Sequence, residues 1–454
     1  MKKKIRRIKE AQTRSLSDNS RARYFTFSAL YTAQGIPEGI TYFALPAWLA
    51  MNGRSALEIA SLVSVMLIPW SFKIIIAPLM DRFTYLSMGR KRPWVIFGQL
   101  GLILSFLFLG MVEDPLNNLS GLMMVGFLVN FFGAFQDVAT DGMAVEVIPA
   151  KEQARANGLM WGSKTVGISA SLIIGTWLIN NIGFSLAVSS LSIVVACIMI
   201  SPIYFRERQG EKMLPWTRGK ISRHSKMIQV KSWGRILKNL YRVVVLKSSL
   251  ILCLGIFLLG IMFGLVDTLL PIFSIQELGW DNSHFSNILS ITTVIGGVLG
   301  MLLGGYLVDY FGKIKMLSIY LIFTTSLITS FAFMTNLWSS SIVAIAFILS
   351  YYTLYTFLCI GIFASAMHLC WKTVAATQFT LYMALSNMGR AIGAGLLGVL
   401  KMHFNWEMIF ICIALIPFLI IFIIQLIKFS KHRKRVKSFD TVPYTLATPP
   451  VIKN

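Results

Sequence analysis

Seven charged side chains fall inside long apolar stretches of this 454-residue chain: Glu38, Lys73, Asp137, Asp141, Lys164, Asp267 and Arg390. A charge at bilayer depth costs about 2.5–3.5 kcal/mol on insertion scales, so such residues face protein or water and mark function. Asp137 and Asp141 stand at i and i+4, on one face of a helix. A desolvated carboxylate can exchange a proton near neutral pH. A guanidinium such as Arg390 can grip a carboxylate or phosphate with two parallel hydrogen bonds. The stretch "AQGIPEG" (33–39) places Gln34 and Glu38 around Pro37, where a helix loses a backbone hydrogen bond. A helix broken there is expected to offer backbone groups to a solute. This chemistry is binding and proton exchange, without bond cleavage. No phosphate loop or nucleophile elbow is present. The five cysteines and five histidines show no metal spacing. No enzyme activity, metal or cofactor is expected.

Membrane helices must position these charges. The chain is 56% hydrophobic and 13% charged, against about 25% charged for a soluble domain. Twelve apolar blocks are long enough for a bilayer core of about 30 Å. They cover about 25–50, 56–80, 93–112, 120–146, 157–180 and 183–204, then 249–276, 285–308, 316–335, 340–367, 376–401 and 407–428. None alternates as a barrel strand would, so the fold is an all-α membrane protein of twelve transmembrane helices. With both termini and every even-to-odd connection on one side, that side holds 37 of the 42 basic residues and the other holds two. The positive-inside bias makes both termini cytoplasmic. The net charge of +23 is then a topology signal rather than a nucleic-acid surface.

Five regions follow: a basic N-tail (1–23), a six-helix bundle (24–204), a basic linker (205–248), a second six-helix bundle (249–428) and a C-tail (429–454). The bundles repeat one plan. "GIPEGITYFALP" (35–46) and "GIMFGLVDTLLP" (260–271) share G-x3-G-x6-P. "PLMDRFTYLSMGRKR" (78–92) and "YLVDYFGKIK" (306–315) each end a second span with Asp and turn through Gly into basic residues. Asp81, Arg82, Gly89 and Arg90 with Asp309 and Gly312 thus form a repeated conformational motif. "ARANGLMWGSKTVG" (154–167) matches "ATQFTLYMALSNMG" (376–389). Two parallel six-helix repeats are a transporter plan.

"LYTAQGIPEG", "QDVATDG" and "AATQFTLYMALSNMGR" resemble the peptide/acetyl-coenzyme A/drug branch of the major facilitator superfamily, over roughly 24–428. That branch includes AmpG-type muropeptide permeases and acetyl-coenzyme A transporters. The chain has "DGMA" (141–144) where the muropeptide permeases tend to carry Asp-Ala-Tyr-Arg. The resemblance implies a monomeric, inner-membrane secondary transporter taking a small organic solute into the cytoplasm by alternating access. It implies protons as coupling ion. Candidate solutes are a muropeptide, acetyl-coenzyme A, a siderophore or a drug-like anion. A non-transporting receptor or scaffold is the reading from another class.

In that fold spans 1, 4, 7 and 10 line the cavity, and the charge-free spans 3, 6, 9 and 12 face lipid. Gln34, Glu38 and Arg390 are the expected substrate site, with Glu38 and Arg390 near the midplane and either Glu38 or another cavity carboxylate pairing with Arg390 when the site is empty. Asp137 and Asp141, in the cytoplasmic third, are expected to look across at Lys73 and Lys164. That group is either a proton relay or an ion-pair gate. Asp267 is placed toward the outer third as a gate residue, and Glu146 as a solvated helix end.

Overall fold

The computed structural model describes residues 15–149, 152–222, 225 and 233–440; the rest of the expected tails and linker lies outside it. The described chain is helical almost throughout. The first run is α1 (Ser20–Glu38), a π-helical turn (Gly39–Ala44) and α2 (Leu45–Met51). The second is α3 (Ala56–Leu67), a 3-10 turn (Ile68–Phe72) and α4 (Lys73–Arg82). Then come α5 (Arg92–Gly110), α6 (Leu119–Val147), α7 (Gln153–Ile182) and α8 (Phe184–Tyr204). The linker carries α9 (Trp233–Val244). The second group is α10 (Lys247–Gln276), α11 (Asn282–Leu299) with a π turn into α12 (Gly305–Phe311), and α13 (Lys313–Phe333). It ends with α14 (Ser341–Leu369), α15 (Ala375–His403), α16 (Trp406–Gln425) and the tail helix α17 (Phe429–Asp440).

Eleven of these runs are long and apolar enough to cross a membrane among the described residues. The run from Ser20 to Met51 is the remaining expected span. It is not broken at Pro37 as the sequence suggests. The helix runs on through Pro37 into the π turn, where the Thr41 hydroxyl donates to the Pro37 carbonyl at 2.7 Å. On the short connections that carry few charges, Ser55, Asn118, Asp281 and Asn405 each cap a helix start with a side-chain oxygen. Each such cap contributes about 1 kcal/mol.

Glycines set the helix spacing, and they do so twice over. A Cβ on Gly35 would meet the Lys164 carbonyl oxygen at 2.4 Å, and one on Gly39 the Ile168 carbonyl at 2.5 Å. In the second group Gly260 meets the Ser386 carbonyl at 2.3 Å, and Gly264 that of Arg390 at 2.0 Å. Gly167 against Thr32 and Gly389 against Phe257 repeat the contact from the other helix, both at 2.3 Å. The α1–α7 and α10–α15 interfaces are therefore the same small-residue packing, at positions related by the sequence repeat. Gly264→Val is expected to force these backbones apart and to cost about 1–3 kcal/mol or more, as overpacking does. Thermal unfolding in detergent measures it, with Gly158→Val, which has open space around it, as the matched control.

Candidate functional site

The close approach of α10 and α15 decides Arg390's partner. Gly264 abuts the Arg390 backbone, and Asp267 lies one turn further along α10. Arg390 Nη2 donates to Asp267 Oδ2 at 2.6 Å, and the Tyr352 hydroxyl donates to Asp267 Oδ1 at 3.2 Å. Asp267 does not stand apart toward the outer third; it shares the level of Arg390. Of the two partners expected for Arg390, the cavity carboxylate Asp267 and not Glu38 holds it in this state. The guanidinium instead lies 5.7 Å from the Tyr42 ring of the first group. It uses one nitrogen on Asp267, and its Nε has no hydrogen-bond partner among the described residues.

Glu38 pairs with Lys164 at 2.7 Å, because the glycine contact between α1 and α7 holds Lys164 over that face of α1. Lys73 pairs with Asp137, while Tyr31 donates to Asp141. The expected square of two aspartates and two lysines is thus split into three contacts. One lysine reaches the Asp137 helix and the other turns to α1.

Aromatic and amide groups join the pieces. The Trp70 ring lies 4.7 Å from Lys73 Nζ and 5.3 Å from Lys164 Nζ, a cation–π arrangement with both. Its Nε1 donates to Asn130 Oδ1 at 3.0 Å, and the Tyr42 hydroxyl donates to the same oxygen at 3.0 Å. Asn130 Nδ2 donates to Thr41 Oγ1 at 3.1 Å. The chain of contacts therefore runs from Asp267 and Arg390 in one group, through Tyr42, Asn130 and Trp70, to Lys73, Lys164, Asp137 and Glu38 in the other. The Tyr355 ring lies tilted against Phe263 with ring centroids 4.2 Å apart, beside Tyr352. A screen for charges alone misses these residues. The polar-aromatic run "YYTLY" (351–355) and the lone Asn130 in an apolar span were the available signals. Gln34 is fully buried, and neither of its amide atoms has a hydrogen-bond partner among the described residues.

The two groups are joined by hydrogen bonds at one end and at mid-depth. Gln276 donates to the Arg54 carbonyl at 2.8 Å, and Asn180 and Asn282 exchange amide bonds at 2.8 and 2.9 Å. Thr176 with Ser286 (2.8 Å), Ser64 with the Ala391 carbonyl (2.7 Å) and Asn387 with the Trp70 carbonyl (3.2 Å) continue the seam. On the side of the basic loops no hydrogen bond or ion pair joins the groups among the described residues.

That basic side carries the repeated motif, and its copies differ. Asp81 binds Arg90 at 2.9 Å and Lys91 at 2.6 Å, while Arg90 also binds Glu146 at 2.9 Å. Glu146 is thus a partner in this cluster and not a solvated end. Gly89 has φ +111°, and a Cβ there would press on the Glu207 carboxylate at 2.7 Å. Glu207 accepts from the backbone N–H groups of Arg90 (2.8 Å), Lys91 (2.6 Å) and Arg92. Arg82 is exposed and outside the cluster. In the second copy Asp309 is exposed, with no ion pair among the described residues, and Gly312 has φ +94°.

The linker strap after α8 closes over this cluster. Glu211 is fully buried in it. Burial, and then the neighbouring Glu207 charge, push its carboxyl up to about 8. A folded pKa above the free value of about 4.3 stabilises the seated strap most below that value. The stabilisation is lost as pH rises through about 8. The protection of amides across 205–220, taken relative to their intrinsic exchange rates at each pH, is expected to fall over that window, and Glu211→Gln to flatten the dependence.

The sequence profile of the Major Facilitator Superfamily matches residues 27–380. The anhydromuropeptide permease of Escherichia coli (strain K12) is 24% identical over 402 residues, covering 86% of this chain and 77% of the permease. A Rickettsia prowazekii (strain Madrid E) protein designated AmpG 3 is 22% identical over 425 residues, covering 88% of this chain and 96% of its own. Among solved structures, the nucleoside transporter NupG superposes with a TM-score of 0.65 at 12% identity, covering 89% of this chain and 99% of that one. That likeness is one of fold.

Proposed function

We propose a transport cycle for this chain, which belongs to the Major Facilitator Superfamily. It is a multi-pass membrane transporter with AmpG-like relatives. The Ser20–Met51 run is its first span and completes the twelve, the bundles are 24–204 and 249–428, and both termini lie in the cytoplasm of a cell whose inner membrane holds it as a monomer. The solute is a small organic anion such as a muropeptide, moved inward with protons. One observation carries this reading: Arg390 sits where the two groups meet, paired to Asp267 through a single nitrogen. Its remaining donors can take an anionic group without leaving Asp267 unpaired. The seam of hydrogen bonds on the charge-poor side supports an inward-facing state, closed outside and open toward the basic loops. Glu38 with Lys164 and Asp137 with Lys73 are the carboxylates whose ion pairs a proton would release.

Uptake into right-side-out and inside-out vesicles tests the reading, with labelled muropeptide, acetyl-coenzyme A and nucleoside as the panel. Saturable muropeptide uptake that an imposed pH gradient accelerates is the expected result. Uptake of none of the three, or uptake indifferent to the gradient, overturns it. Cysteines introduced at Asn181 and Arg218 check the orientation, the first reacting with an impermeant thiol reagent from outside and the second from inside.

A further inference from the structure

Two helices outside the spans are not used by the transport cycle. α9 ends two residues before α10 starts at Lys247, so it lies at the membrane surface. Its residues fall into three stripes. Val243 is buried against Trp371 and Val374 of the α14–α15 connection, and Leu240 is buried as well. Leu237 and Tyr241, at i and i+4, and Val245 just past the helix end are 54%, 70% and 44% exposed. Lys238 and Arg242 are exposed beside them. The apolar exposure continues into the first turns of α10, where Leu250 and Leu254 are 50% and 48% exposed. On a span such leucines meet acyl chains. α17 packs on the same connection, Phe439 against Trp371 with centroids 5.5 Å apart. It leaves Lys434 and Arg435 exposed. The sequence of α9 contains no acidic residue, and that of α17 contains one, its last.

The geometry points to α9 as a membrane-surface helix that binds anionic phospholipid. Leu237 and Tyr241 enter the boundary between headgroups and acyl chains, and Lys238 and Arg242 meet lipid phosphates. Three facts require this together. The buried stripe already satisfies the protein side of the helix. The exposed stripe is apolar and continuous with the exposed leucines at the start of α10. The cations next to it have no acidic partner on their own helix, so the counter-charge comes from the surface they face. A tyrosine with its ring in the apolar layer and its hydroxyl among headgroups suits that depth, and a lysine stem reaches outward past it. Because α9 is buried on the second group and leads directly into α10, its seating fixes the end of a cavity-side span.

The test uses the full chain in lipid nanodiscs, with native cysteines replaced and a polarity-sensitive fluorophore on Tyr241→Cys. A second protein carries the fluorophore on Arg218→Cys in the water-facing strap. Nanodiscs contain phosphatidylcholine alone or with phosphatidylglycerol. The fluorophore at 241 is expected to be quenched by lipid brominated near the headgroup and shielded from aqueous iodide; the one at 218 shows the reverse. Phosphatidylglycerol increases lipid quenching at 241, and Lys238→Gln with Arg242→Gln removes that increase, each residue accounting for roughly a fivefold change in partition. Iodide quenching at 241 equal to that at 218 in both lipids overturns the proposal. So does shielding that appears only on adding an acidic soluble protein. Lipid quenching indifferent to phosphatidylglycerol and to the double substitution overturns the headgroup contact.

Discussion

Arg390→Ala is expected to abolish saturable uptake and to lower the unfolding temperature at the same time. The reason lies in its partner. Asp267 is buried between α10 and α14, and Tyr352 supplies its other hydrogen bond. Removing the guanidinium strands that carboxylate, and breaking a buried pair costs about 3–5 kcal/mol. A loss of uptake alone would therefore not distinguish a binding residue from a structural one. Asp267→Asn combined with Arg390→Ala removes both charges and is expected to restore most of the stability while leaving uptake absent. Arg390→Lys keeps the charge and loses the planar fork, which weakens solute binding by about 1–3 kcal/mol. Solute-dependent thermal stabilisation of purified protein reads all three. Undiminished stabilisation in the folded double variant would make Arg390 a packing residue and remove it from the site.

The sequence places each embedded charge along its own helix, but not its direction around that helix or its level against the neighbouring helices. Counting residues along a span puts Asp267 toward the outer third, and the structure sets it level with Arg390. The partner follows from which helix packs close, and that is set by glycine contacts. Gly260 and Gly264 bring α10 onto α15, so Asp267 and not Glu38 reaches Arg390. Gly35 and Gly39 bring α1 onto α7, so Lys164 reaches Glu38. The repeat in the sequence contained this information, since the paired glycines are the repeated positions. It was legible as symmetry and not yet as contact. The neutral links were harder to see. Asn130 and Trp70 carry no charge in an apolar span, and their importance appears only when one amide oxygen is seen to accept from both Trp70 and Tyr42. The repeated loop motif shows the opposite limit. Asp81 and Asp309 have the same local sequence setting, yet only Asp81 has a linker carboxylate, Glu207, seated against its loop.

The last expected result separates the proton relay from the gate, and the geometry now frames it. Asp137 holds Lys73, and Asp141 accepts from Tyr31 one turn nearer the basic loops. If Asp137 is the residue that takes the proton, protonation releases Lys73 onto the Trp70 face, where the ring already lies 4.7 Å from its nitrogen. Asp137→Asn imitates the protonated state permanently. It is expected to reduce accumulation against a gradient to equilibration, while solute exchange across the membrane continues at a rate within about tenfold of the parent, the change that 1.4 kcal/mol in a barrier produces. Lys73 retains the ring as a partner, so the variant folds; Lys73→Met with Asp137→Asn removes the remaining unpaired cation and checks that folding is not the cause. The measurement compares pH-driven uptake with counterflow in the same proteoliposomes. Equal loss of both in the two variants would assign Asp137 and Lys73 to a gate that must pair for any solute to cross. Loss of neither would place the coupling carboxylate elsewhere, with Glu38 against Lys164 the next pair to test.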